Sequence, residues 1–158
     1  MTAKFRRNGS FMPHAYAQNL IHLVFSTKHR RPQISVKRQK QLWEYIVGIG
    51  VNHKIMVVAV GGMEDHIHLL FGLPATMTLA KAVQVLKANS SRWMNEHDSA
   101  FSWQEGYGAF GVSASNKKAV IEYIQTQSEH HRNRTFEEEF VFLLKKHEVD
   151  YDPEWVFG

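Results

Sequence analysis

The run DHIHLLFG, residues 65–72, reads as a β-strand with two unequal faces. Successive strand side chains point to opposite sides, so Ile67, Leu69 and Phe71 share one face while His66, His68 and Leu70 share the other. The first face requires an apolar cover. The second sets two imidazoles side by side on a surface that something else must cover or use. Any fold for this chain has to satisfy both demands at once.

The flanking segments supply a frame for that strand. NLIHLVFS, residues 19–26, carries apolar residues at 21, 23 and 25 and reads as a first strand. Ser35 is placed to cap a helix through VKRQKQLWEYIVGIGVNH, in which Leu42, Ile46 and Ile49 fall at helical spacing. KIMVVAVGG is a second strand, and the short turn GGMED folds it back into the histidine strand as a hairpin. After Pro74, Thr78 opens a long helix with Leu79, Ala82, Val83, Leu86 and Trp93 on its apolar stripe. AFSWQEGYGAFGVSAS suggests one or two strands around a bend. Ser115 is expected to cap a third helix from Asn116 to about His131, and Thr135 with Glu138 forms a capping box for a fourth. The order β-α-β-β-α-β is the ferredoxin-like pattern, an α+β fold with an antiparallel sheet, the first two helices on one face and further helices appended. No repeat or linker divides the 158 residues, so residues 1–158 are expected to form one domain, with 1–15 a flexible basic tail.

Composition narrows the functional classes. No apolar run approaches the ~20 residues of a membrane span, and no apolar stretch follows the basic N-terminal residues, so a soluble protein without membrane partner or export signal is expected. Cysteine is absent, which removes disulfides and thiolate metal sites. The net charge of +4 favours a polyanionic partner. Cations crowd in the loop Lys28, His29, Arg30, Arg31 and near Arg6 and Arg7, and with Lys87 and Arg92 these are the candidate phosphate contacts. Trp103 and Phe110 are candidates for stacking on unpaired bases, or for the core.

Histidines at i and i+2 on a strand can converge on a metal ion. Metallo-β-lactamase-like hydrolases continue such a run as H-x-H-x-D-H, but here Leu69, Leu70 and Phe71 follow. Amidohydrolases need a barrel this chain is too short to build, and a zinc finger needs a different ligand pattern. Asp65 and Glu64 adjoin the pair and could orient an imidazole as outer acceptors. A second constellation lies in EYIQTQSEHH. Tyr123 and Gln127, four apart, share one side of a helix, with His130 or His131 a turn further on, while Val120, Ile121 and Ile124 form the core-facing stripe. A phenol is a weak nucleophile at neutral pH without a cation to stabilise the transition state. Two imidazoles and an amide oxygen give a divalent cation three protein ligands and leave open positions for a phosphate oxygen.

Together these residues resemble the single-tyrosine HUH transposases of small bacterial and archaeal insertion sequences. DHIHLLF matches the histidine-hydrophobe-histidine signature, and EYIQTQSEHH matches the tyrosine nucleophile and third metal ligand. HLVFSTKHRRP, LKANSSRWMNE and WQEGYGAFGVS are similar in kind and order, so the likeness spans about residues 16 to 157. The resemblance implies a ferredoxin- or RRM-like sheet with an additional C-terminal tyrosine-bearing helix, a homodimer, and a bacterial or archaeal cytoplasmic setting. It implies cleavage of single-stranded DNA at hairpin-marked ends by Tyr123, through a 5′-phosphotyrosine link, with Mg2+ or Mn2+ held by His66, His68 and Gln127. No nucleotide cofactor is expected, since the chain has no G-x-x-x-x-G-K-[ST] loop. Alternative readings are a domesticated relative that nicks repeated palindromes and a non-catalytic nucleic-acid-binding module on an RRM-like sheet.

Overall fold

The computed structural model describes residues 16–97 and 100–158. Arg6 and Arg7 lie outside the described residues. The chain runs β1 (Leu20–Ser26), α1 (Val36–Asn52), β2 (Met56–Gly62), β3 (His66–Gly72), α2 (Leu79–His97), β4 (Gly108–Val112), α3 (Lys117–Gln125), α4 (Gln127–His130) and α5 (Phe136–Lys146). The strands form an antiparallel sheet in the order β2-β3-β1-β4, the ferredoxin-like arrangement, with β1 and β3 central.

Strand alternation decides which layer each helix joins. Ile21, Leu23 and Phe25 of β1 and Ile67, Leu69 and Phe71 of β3 pack with Leu42, Ile46 and Ile49 of α1 and Ala82, Val83, Leu86 and Met94 of α2. On α2 the buried residue near the C-terminal end is Met94, whereas Trp93 is half-buried and stacks on Tyr45 at 5.1 Å between centroids. Trp103 and Phe110 are buried, Trp103 in this layer and Phe110 in the opposite one.

The second face is covered as well. Leu20, Ala59 and Leu70 pack against Ile124 of α3, with Val120 and Ile121 at the margin. Val24 and Phe110 pack against Phe136, Phe140, Leu143 and Leu144 of α5. The sheet is thus enclosed between α1 and α2 on one side and α3 to α5 on the other, and β1 is buried along its whole length.

The helix starts follow local side-chain chemistry with one exception. Ser35 accepts from the Arg38 N–H at 3.2 Å, and Thr135 accepts from the Glu138 N–H at 3.2 Å, each satisfying a donor that a helix start leaves unpaired. Ser115 does not cap α3: its hydroxyl pairs with Ser113 at 3.0 Å within a short 3-10 turn, and α3 starts after Asn116 without a side-chain cap. The expected single helix from Asn116 to His131 is also interrupted. At Thr126 (φ −111°, ψ 31°) the backbone leaves helical geometry, while the Thr126 hydroxyl donates to the Glu122 carbonyl at 2.8 Å. A β-branched residue bonding back to the i−4 carbonyl bends a helix, and the bend turns Gln127 inward.

Gly61 sets how closely α3 approaches the sheet, since a Cβ there would stand 2.1 Å from the Ile124 carbonyl oxygen. Neither backbone can yield without shifting α3. Gly61→Ala is expected to lower stability by about 1–3 kcal/mol, the usual cost of overpacking, read as a reduced urea midpoint; an unchanged midpoint would show that α3 is not held at that distance.

Candidate metal and nucleophile site

β3 presents His66 and His68 to the second face at its centre, and both are wholly buried. The inward turn at Thr126 brings Gln127 to them, with its Oε1 3.0 Å from His66 Nε2. The orientation of that amide follows from its other end, where Gln127 Nε2 donates to the Tyr123 carbonyl at 3.3 Å. α5 adds a residue that was not singled out from sequence: Glu139, wholly buried, accepts through Oε1 from His68 Nε2 at 2.8 Å and from His131 Nε2 at 3.1 Å. The same oxygen lies 3.4 Å from His66 Nε2. Its other oxygen, Oε2, accepts from the Tyr123 hydroxyl. Tyr123, His66 and His68, named from sequence, therefore meet around one carboxylate within a single chain, and Gln127, also named, joins them through His66.

Outer partners fix the rings. Asp65 Oδ1 lies 2.6 Å from His66 Nδ1, the orienting role expected of it, whereas Glu64 is exposed and contributes its backbone carbonyl to the Ile34 N–H. His22 Nε2 stands 2.9 Å from His68 Nδ1, and the two rings stack. His131 Nδ1 donates to the Arg134 carbonyl at 2.8 Å, and His130 stacks on the Tyr123 ring. An imidazole whose Nδ1 is committed to an outer acceptor has its Nε2 oriented as a ligand.

The donor set fits a divalent cation on this geometry alone. In the tautomer that gives Nδ1–H to Asp65, His66 Nε2 would offer a lone pair toward the point that Gln127 Oε1 and Glu139 Oε1 also face. Acceptors aimed at one point need donors or positive charge between them; His131 Nε2, 3.1 Å from both Gln127 Oε1 and Glu139 Oε1, serves that need here, and a cation could serve it in its place. An octahedral ion with bonds of about 2.1 Å holds neighbouring ligand atoms about 3 Å apart; three of the contacts here measure 2.8, 3.0 and 3.4 Å, and the donor atoms of His66, His68 and Glu139 all lie within 4.8 Å of one another. Nitrogen and oxygen donors without sulfur suit a hard or borderline ion such as Mg2+ or Mn2+.

The electrostatics centre on Glu139. Burial works to raise its pKa, but hydrogen bonds from His131 and His68 outweigh it and hold the carboxyl well below the usual range. Burial lowers His68 more than the Glu139 hydrogen bond raises it, and burial with the charge of His68 lowers His22. For His131, burial is outweighed by the Glu139 hydrogen bond and charge, so its pKa rises. Burial and the adjacent Glu139 charge push the Tyr123 phenol up. Both effects favour the protonated phenol.

Two clefts reach this centre. One, of about 380 Å3, is lined by Asp65, His131, Arg134 and Glu137; the other, of about 230 Å3, by Tyr123, His22, Lys146 and His147. Lys28, Arg31 and Arg92 are exposed. Arg30 instead pairs with Glu137 of α5 at 2.6 Å and lies over the Phe157 ring. Lys87 turns inward, donating to the Gln104 and Gly106 carbonyls at 2.6 and 3.0 Å, with burial lowering its pKa.

Glu139 carries a sequence signal that is visible once α5 is drawn. Phe136, Glu139, Phe140 and Leu143 follow the i, i+3, i+4, i+7 pattern, so the carboxylate stands on the apolar stripe. His22 could be found by strand alternation, which separates it from Ile21 and Leu23 and puts it on the histidine face.

A ferredoxin-like sheet thus carries a histidine pair at its centre and a tyrosine-bearing helix beside it. The sequence matches the family described as Transposase IS200 like over residues 15–127, and the chain belongs to that transposase family. None of the curated proteins matches it. Among solved structures it is similar to a protein from Deinococcus radiodurans R1 classed as a transposase, at 22% identity and TM-score 0.57, covering 76% of this chain and 95% of that one. It is also similar to a REP-associated tyrosine transposase bound to a REP hairpin, at 14% identity and TM-score 0.53, covering 73% of this chain and 70% of that one. Both likenesses are of fold. Among the described residues, no helix is long and apolar enough to cross a membrane.

Lys87 gives a separable test of the basic residues. Lys87→Met is expected to cost about 1–2 kcal/mol of stability through its lost carbonyl bonds, measured by urea unfolding; unchanged stability together with weakened DNA binding would make it a phosphate contact.

Proposed function

We propose that this protein cleaves and rejoins single-stranded DNA at hairpin-marked ends, with Tyr123 as nucleophile and a divalent cation, Mg2+ or Mn2+, held by His66, His68 and Gln127. The observation that carries the reading is the convergence of the Tyr123 hydroxyl, both histidines and Gln127 around one point. The cation, when bound, polarises a phosphate oxygen and offsets the charge that develops at phosphorus.

This chain's residues do the rest. β3 and the turn after α3 hold the ligands on rigid elements, and His22 and Asp65 keep the imidazoles oriented. Tyr123 Oη forms a bond to phosphorus as the bond to the 3′-oxygen breaks. The phenol loses its proton and the departing 3′-oxygen gains one, so none is consumed overall. The product is a 5′-phosphotyrosine, and attack by a 3′-OH on it rejoins a strand without ATP. Arg134 and Lys146 stand at the two clefts as cations for the DNA backbone, and exposed Lys28, Arg31 and Arg92 extend that field. Arg30, paired with Glu137, would join it only by exchanging that partner. Arg6 and Arg7 belong to the basic tail proposed as a further backbone contact. We place this activity in a homodimer of 1–158 units in a bacterial or archaeal cytoplasm.

The test incubates the protein with labelled hairpin-ended oligonucleotides, with Mg2+ or with chelator, followed by denaturing gels. An adduct is expected that survives denaturation, needs the metal and disappears in Tyr123→Phe. His66→Ala or His68→Ala is expected to abolish cleavage while keeping hairpin binding, and Gln127→Ala to reduce it in part. A non-catalytic binding module would bind the hairpin, form no adduct and be indifferent to Tyr123→Phe.

A further inference from the structure

We propose that Glu139 is a fourth protein ligand to the divalent cation, the anionic one, and that it carries the Tyr123 hydroxyl on its second oxygen. This rests on the reading above that the site holds a divalent cation. Three neutral ligands would leave both charges of the ion uncompensated in a buried site, and a hard ion takes carboxylate oxygen readily. Glu139 Oε1 sits 2.8 Å from His68 Nε2 and 3.4 Å from His66 Nε2, the spacing of atoms that share one ion, while Oε2 is already committed to Tyr123. The carboxylate thus spans the ion and the nucleophile and fixes their separation.

The position of Glu139 argues in the same direction. It stands on the apolar stripe of α5 between Phe136 and Phe140, with no exposure to water, where a carboxylate needs a lasting positive partner. His131 is one such partner, but it meets the same oxygen that faces both strand histidines. α5 also lies beyond residues 15–127, the segment matched by the family. The proposed extra ligand therefore comes from a helix outside the matched segment. As a ligand, His68 Nε2 would carry no proton, and the ring's remaining proton would lie on Nδ1, 2.9 Å from His22 Nε2.

The test is calorimetric titration of the full chain, stripped with chelator, with MnCl2. Wild type is expected to bind one Mn2+ per chain, and Glu139→Gln, of equal size and without charge, to bind at least about tenfold more weakly. Glu138→Gln, the same charge change on an exposed neighbour, is expected to bind as wild type does. Wild-type affinity in Glu139→Gln, or an equal loss in both variants, overturns the proposal. If wild type takes up no Mn2+, the cation reading itself fails, an outcome distinct from loss in one variant. If Glu139→Gln does not fold, anomalous diffraction from Mn2+-soaked wild-type crystals decides: a Glu139 oxygen bonded to the ion supports the assignment, and water in its place overturns it.

Discussion

The second face of the sheet is organised around a buried negative charge. Moving a lone carboxylate out of water costs several kcal/mol or more, so it persists only where fixed partners surround it. Those around Glu139 come from separate elements: His68 from β3, His131 from the turn after α4, and Tyr123 from α3. Satisfying the charge therefore fixes the packing of the whole C-terminal helical layer. Removing any one partner alone would leave the others facing an under-compensated ion, which makes the cluster cooperative.

The other face needs no such device. Ile21, Leu23, Phe25, Ile67, Leu69 and Phe71 meet two helices in an ordinary apolar layer. The division of labour follows from period-two alternation on β3: one register makes the core, and the other makes the site. A one-residue slip would exchange them, and the bond between the Thr27 N–H and the Asp65 carbonyl, together with Gly61 against α3, pins the register at the histidine end.

This alternation also explains what was legible from sequence. The strands, α1, α2 and the partition of β3 are short-range patterns, and they appear in the structure as read except that Met94, not Trp93, is the buried residue near the end of α2. The pairing of Tyr123 with Gln127 was legible from helical spacing, and the role of Asp65 from its place beside His66. Ser115 and the break at Thr126 were not, because a helix start and a bend depend on competing local hydrogen bonds that spacing does not rank. Arg30 and Lys87 looked like free cations because their partners, Glu137 and two loop carbonyls, are distant in sequence. Glu139 was hidden within EEE, where a capping role for Glu138 accounted for the acidity, although the apolar stripe of α5 runs through its position.

α5 also changes what the tyrosine helix can do. Glu139 accepts from the Tyr123 hydroxyl, helps push the phenol pKa up and stands between Tyr123 and the strand histidines, so in the proposed reaction an incoming phosphate would meet a carboxylate there first. Two anions cannot share that position without a cation between them. In the proposed reaction, cation and phosphate would therefore be coupled through one side chain: positive charge beside Glu139 Oε1 would offset the repulsion between that carboxylate and a DNA phosphate. On that reading, the contact that restrains the Tyr123 hydroxyl would also hold it beside the proposed ion.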